Sequence, residues 1–251
     1  RPASPRMRPV SEKLLQFLRE PPLSLSPTDE EEATMKNVNV VERFCPAGTL
    51  IVDEGLVRRS LLLVTSGWAL SFKSMADGRR LVADFPLRGD LLSNGSIIGT
   101  SYRAALAVSD VTITEIVLER NVLLAQQAPF LATIFMHLMA RNFGIVTEHL
   151  ANIARRPPIE RTIHFFLEMR HRLEAAGLAQ GNAFSFPFTQ SDLADALGLT
   201  AIHTNRVLRD LREDGLLLFR GSAVQLLDPR SLRNMTGFDP AYLMLRPQER
   251  G

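Results

Sequence analysis

The chain has 251 residues, 45% hydrophobic and 22% charged, with a formal net charge of +2. That length suits one large or two modest domains, each with its own core. The charge is too small to mark a nucleic-acid-binding protein, and a single cysteine excludes an internal disulfide and a thiolate-built metal or iron–sulfur site.

In chain order, RPASPRMRPV at residues 1–10 is rich in proline and arginine with no apolar centre. It is expected as a disordered arm, not a signal peptide, with a short helical segment completing residues 1–37. Cys45 is expected as a small buried residue, and the low cysteine usage fits a cytoplasmic protein. Residues 38–118 hold short β-rich runs: Leu50–Val52, Leu61–Thr65, Trp68–Phe72, Leu81–Phe85, Ala104–Val108 and Val111–Val117. Turn signals separate them, among them Gly55, Ser66–Gly67 and Asp77–Gly78. Short strands with regular turns predict an antiparallel β-roll of the jelly-roll kind over residues 38–128.

The period then changes. Leu131, Ile134, Phe135, Leu138, Met139, Ile145, Val146, Leu150 and Ile153 recur at intervals of three and four. They predict a long amphipathic helix over 129–156, opened by Pro129. Its apolar face is wide enough for one stripe to meet a second copy, and Leu131, Ile134, Leu138 and Ile145 are the expected dimer contacts. His137 and His149 are expected at that seam or in solvent. No membrane span is expected, because His137, Arg141 and Asn142 interrupt the apolar residues of 130–146.

RRPP at 155–158 ends that helix. A second helix is predicted over Ile159–Ala176, then a short strand in FSFPF, then SDLADALGLTAIHTNRVLRDL at 191–211. Thr189 suits a helix N-cap, Gly198 a tight turn, and Thr200 a second N-cap. Thr204, Val207, Leu208 and Leu211 share an inward face of the second helix. Ala201, Ile202, Asn205, Arg206 and Arg209 share the outward face, where arginine can fork onto guanine and Ile202 can touch a thymine methyl. With Thr189, Gln190 and His203 at the helix starts, these residues and Thr200 form the expected DNA-binding set. Two short strands, Leu216–Phe219 and Val224–Leu227, complete a winged helix-turn-helix over 157–240, followed by a tail at 241–251.

With those motifs the chain resembles the Crp/Fnr family of bacterial transcription regulators across nearly all of 38–240. FTQSDLADALGLTAIHTNRVLRDLREDGLL (188–217) is similar to that family's DNA-binding signature, and CPAGTLIVDEG (45–55), TSGWAL (65–70) and DGRRLVADFPLRGD (77–90) to the turns of its cyclic-nucleotide-binding-like roll. The resemblance implies an α+β fold of N-terminal β-roll, long dimerisation helix and C-terminal winged helix. It implies a homodimer on a double-stranded, two-fold-related operator, with RNA polymerase as a partner if the protein activates.

The departures from the family pattern bear on the effector. Asn94 stands near the position of a ribose-binding glutamate, and Arg103 is followed by Ala104 where nucleotide-binding members carry Arg-Ser or Arg-Thr. A classical cyclic-nucleotide site is therefore not expected, and any effector at Asn94, Arg103 and Ala104 is unidentified. One cysteine excludes the oxygen-sensing iron–sulfur type. No histidine precedes His137, so no haem is expected, and no cofactor is predicted. Where well-known members place Arg, Glu and Arg on bases, this chain has Ala201, Ile202 and Arg206. A β-roll metalloenzyme is disfavoured because the roll lacks histidine ligands. A winged-helix protein–protein module, or a β-roll binding a small molecule without DNA readout, is the alternative.

Overall fold

A computed structural model describes residues 8–9, 12–36, 38–57, 59–92, 100–118 and 124–244. The chain forms two compact units, one of residues 1–71, 85–140 and 245–251, the other of 72–84 and 141–244. These cut the chain elsewhere than the expected domain boundaries, within the long helix and around one hairpin.

The first unit begins with β1 (Arg8–Pro9), α1 (Glu12–Arg19) and α2 (Asp29–Met35). Within the expected disordered arm, Arg8 and Pro9 instead pair antiparallel with Val40 and Asn39; residues 1–7 and 10 of that arm lie outside the described residues. Proline is tolerated there because an edge strand need not donate to a further neighbour. The strands that follow are β2 (Asn39–Cys45), β3 (Leu50–Val52), β4 (Ser60–Ser66), β5 (Ala69–Ser74), β6 (Arg80–Asp84), β7 (Ala104–Ala107) and β8 (Val111–Val117). They form sheets in the order β1-β2-β8-β4 and β3-β7-β5-β6. Seen from the sequence, β2 is an addition, hidden because Glu42 and Arg43 interrupt its apolar run. Gly67 turns the chain between β4 and β5 with φ +84°, and a Cβ there would lie 2.1 Å from the Asp110 carbonyl oxygen.

β4 is buried on both faces, which explains its unbroken apolar run. Leu62 and Val64 join Cys45, Ile51, Ala105, Val111 and Ile113 in one core cluster. Leu61 and Leu63 join a second, with Leu14, Leu18, Val40 and Ile116. After α3 (Leu124–Gln127), α4 (Pro129–Arg155) supplies that second cluster with Leu131, Ile134 and Leu138. These three were expected at a dimer seam; they are core residues of the chain itself. Ile145, the fourth, is also buried, at 1% exposure. The outer stripe of α4 is instead Met136, Phe143, Val146, Leu150 and Ile153, with Met136, Phe143 and Leu150 at 71%, 75% and 66% exposure. By length and composition alone α4 is apolar enough to cross a membrane. The expectation of no such segment treated single polar residues as breaks, although the stretch around them stays apolar on average.

The second unit contains the 72–84 hairpin, the 141–155 part of α4, α5 (Pro158–Ala175), β9 (Ala183–Ser185), α6 (Gln190–Leu197), α7 (Ala201–Glu213), β10 (Leu217–Arg220), β11 (Ala223–Leu226), α8 (Pro229–Thr236) and a 3-10 turn, Pro240–Leu243. β11 lies between β10 and β9, both antiparallel to it. Phe165, Phe166 and Phe186 pack edge-to-face beneath this small sheet, with ring centroids 5.4–5.8 Å apart. α8 and the 3-10 turn were not anticipated, since they follow the last strand with only a short amphipathic stretch.

Candidate nucleic-acid interface

The local sequence builds a tight helix pair. Asp192 N–H donates to Thr189 Oγ1 at 3.1 Å and Thr189 N–H donates to Asp192 Oδ2 at 2.8 Å, a reciprocal capping box at the start of α6. Gly198, with φ 62°, ends α6 in the left-handed region. Thr200 Oγ1 then accepts from His203 N–H at 3.2 Å and opens α7. Thr204, Val207, Leu208 and Leu211 are buried. Among the described residues the Thr204 hydroxyl has no hydrogen-bond partner, so Thr204 serves that face through its methyl group.

The other face of α7 is open. Ala201, Ile202, His203, Asn205, Arg206 and Arg209 are all exposed, as are Thr189, Gln190 and Thr200 at the helix starts. Ile202 is 77% exposed and stands on this open face beside Asn205 and Arg206. Arg209 Nε is 3.7 Å from Asp210 Oδ1 and 3.9 Å from Glu213 Oε1. Such loose surface pairs are worth little and can be exchanged for phosphate. Arg206 makes no ion pair among the described residues. The unpaired N–H groups of the first turn of α7 add a partial positive charge on the same side.

Two features of this region escaped the sequence. Arg220 and Ser222 are exposed at the β10–β11 turn, where Gly221 has φ 58°. A basic residue beside a Gly-Ser turn was the available signal for a wing contact. Arg80, on β6, also joins the helix pair: its Nε donates to Asp195 Oδ2 at 2.7 Å and its Nη2 donates to Asp192 Oδ1. Asp192 thus caps α6 and holds Arg80 at once, a contact across 112 residues that no local spacing foretells.

α4, α5, β6 and the 3-10 turn hold a buried ionic cluster. His149 Nε2 is 3.0 Å from Glu168 Oε1 and its Nδ1 is 3.2 Å from the Ala83 carbonyl oxygen. Both partners are acceptors, so both ring nitrogens carry protons and His149 is an imidazolium. Burial would lower its pKa, but the Glu168 carboxylate, helped by Asp84, raises it instead. Glu168 also accepts from Tyr242 Oη at 2.8 Å and from Arg172, which in turn donates to Asp84 Oδ1 at 2.8 Å. Burial would raise the Glu168 pKa; His149, Arg172 and Tyr242 bring it down to about 2. His164 is the opposite case. Burial and the nearby Arg156 lower its pKa to about 4, and its Nδ1 accepts from Asn152 Nδ2 at 3.2 Å. It is neutral, and its 3.4 Å approach to Glu148 is no ion pair at neutral pH. His149 was expected at a dimer seam or in solvent; its charge network places it in the interior.

Comparison with known proteins gives this geometry a family. A family profile described as the Crp-like helix-turn-helix domain matches residues 160–235. The nitrogen fixation regulation protein FixK of Azorhizobium caulinodans is 31% identical over 184 residues, 72% of this chain and 73% of that protein. The chain belongs to the Crp/Fnr family. It is a DNA-binding transcription regulator of that type. The transcriptional activator protein FnrA of Stutzerimonas stutzeri is 25% identical over 86% of this chain and 88% of its own length. The solved structure of FixK2 from Bradyrhizobium japonicum is 27% identical with a TM-score of 0.67, covering 78% of this chain and 96% of that one.

The effector positions of this Crp/Fnr regulator are less complete. Asn94 lies outside the described residues. Arg103 is half-buried, and its carbonyl oxygen accepts from Ser101 Oγ at 2.7 Å. Ala104 is buried at the start of β7. Among the described residues no group of three or more His, Cys, Asp or Glu side chains is arranged to hold a metal ion.

Proposed function

We propose that the protein acts in the cytoplasm as a homodimer on a two-fold-related operator, with α7 of each copy in a major groove. The observation that carries this reading is the open face of α7, with its exposed aliphatic, amide and two arginines over a fully packed opposite face. The dimer contacts are the exposed residues of α4 rather than the buried ones. Met136, Phe143 and Leu150 recur every seven residues, and the exposed Val146 and Ile153 follow Phe143 and Leu150 by three positions; Met139, in the same register, packs on the chain's own core. That is the a/d pattern of a two-stranded coiled coil. Pairing along it sets two recognition helices about one DNA turn apart, roughly 34–36 Å. Several relatives are named as transcriptional activators, which supports activation through contact with RNA polymerase.

Arg206 is the base reader and Arg209 a phosphate contact one turn further along. Arg206→Ala is expected to weaken operator binding by roughly 1–3 kcal/mol and to flatten the preference at one base pair per half-site. Arg209→Ala should weaken all sequences about equally and make the salt dependence shallower. Titration of a base-substituted operator set at two salt concentrations separates the two. Full retention of base preference by the Arg206 variant would assign the readout elsewhere.

The effector is not a classical cyclic nucleotide. Ala104 has no hydroxyl for a cyclic phosphate, and it is buried. Calorimetry with millimolar cyclic AMP and cyclic GMP should show no binding; micromolar binding that tightens operator affinity would reverse this reading.

A further inference from the structure

We infer that Arg161 is a positioning residue that fixes the helix-turn-helix against the dimer helix and thereby sets the half-site spacing the protein accepts. This rests on the homodimeric reading above. Arg161 lies in the first turns of α5, and its guanidinium reaches the C-terminal ends of two other helices. Nη1 donates to the Leu197 carbonyl at 2.7 Å, at the last residue of α6. Nη2 donates to the carbonyls of Ile153 and Arg156, both at 3.1 Å, in the last turn of α4 and just past its end.

The last carbonyls of a helix lack intrahelical partners and carry the negative end of its dipole. A single cation therefore satisfies orphan groups of both helices at once. A planar fork can do this only if the three carbonyls keep their mutual directions, so the fork transmits orientation as well as charge. The turn between α6 and α7 sits on the same spot. A Cβ built on Gly198 would lie 3.5 Å from Ile153 Cγ2 and 3.8 Å from Arg161 Nη1. Since α7 follows that turn directly, a small rotation at this junction is carried along α6 and α7. It appears as a larger shift of the outward face. In a dimer that shift is doubled by symmetry.

The test uses the full chain and a randomised double-stranded DNA pool. The site selected by the wild type is remade with its spacer lengthened or shortened by one and two base pairs, and as a single half-site. Arg161→Lys keeps the charge but lacks the fork. It should stay dimeric, bind the half-site within about twofold of wild type, lose about tenfold or more on the intact site, and show a flattened spacer preference. An unchanged spacer profile would overturn the inference, as would equal losses on half-site and intact site, which would mean that Arg161 acts on α7 alone. Should Arg161→Lys not fold, Arg161→Gln repeats the test. If neither folds, the residue is a determinant of the fold and the inference is wrong. Failure of the homodimer reading is visible separately, because the wild type would then select no two-fold site.

Discussion

If α4 pairs as proposed, Phe143→Asp should leave each chain folded, abolish that dimer, and weaken binding to a two-fold operator by roughly 10²–10⁴-fold. Phe143 is 75% exposed, so its removal takes little from the chain's own core. In a parallel pair of α4 helices it meets its own copy. Two carboxylates forced together at that desolvated seam would repel, and the apolar contact would be lost. A monomer then meets one half-site at a time and loses the effective concentration that linkage supplies. Leu138→Ala makes the contrast. Leu138 is a member of the intrachain core with Leu131 and Ile134, so its truncation should lower stability by about 2–5 kcal/mol while the dimer persists. Sedimentation equilibrium at micromolar concentration, with thermal unfolding of each variant, reads both outcomes. A dimeric Phe143→Asp protein would show that the seam lies on another surface.

The choice between those two stripes shows where sequence reasoning stops. Leu131, Ile134 and Leu138 have helical spacing, and Met136, Phe143 and Leu150 have heptad spacing, within one helix. Periodicity establishes the helix but does not say which stripe the chain covers. That depends on residues such as Leu14, Leu61 and Ile116, which are remote in sequence and brought together only by folding. The helix pair at 190–213 was legible because its determinants are local. Thr189, Gly198 and Thr200 punctuate it, and the burial of Thr204, Val207, Leu208 and Leu211 follows from spacing alone. Strand β2 was hidden by Glu42 and Arg43, which break the apolar run between its buried Val40, Val41 and Cys45. Arg80 and Arg161 could not be found at all, because their partners are distant carboxylates and helix-end carbonyls that carry no sequence signature.

Glu168→Ala is expected to destabilise the protein by about 3–5 kcal/mol, because it leaves His149 and Arg172 buried beside a missing charge. That corresponds to a fall in melting temperature on the order of 10 °C. Glu168 is fully buried and accepts from His149, Arg172 and Tyr242, so no water replaces it without rearrangement. The same cluster gives stability a peaked pH dependence. His149 has a raised pKa, so its contribution is complete below its ordinary value of 6.5 and is lost as pH rises through the folded value. His164 has a pKa lowered to about 4, so its contribution is present above 6.5 and declines as pH falls towards 4. Glu168, lowered from 4.5 to about 2, adds a further loss below 4.5. Stability should therefore be greatest near pH 6.5, where neither histidine has yet lost its share. His149→Gln should lower stability and remove the alkaline decline, while His164→Gln should remove the first part of the acid decline. Denaturant unfolding from acid to mildly alkaline pH measures both slopes. If His149→Gln kept the wild-type alkaline slope, the imidazolium assignment and the stabilising role of its contact with Glu168 would both be wrong.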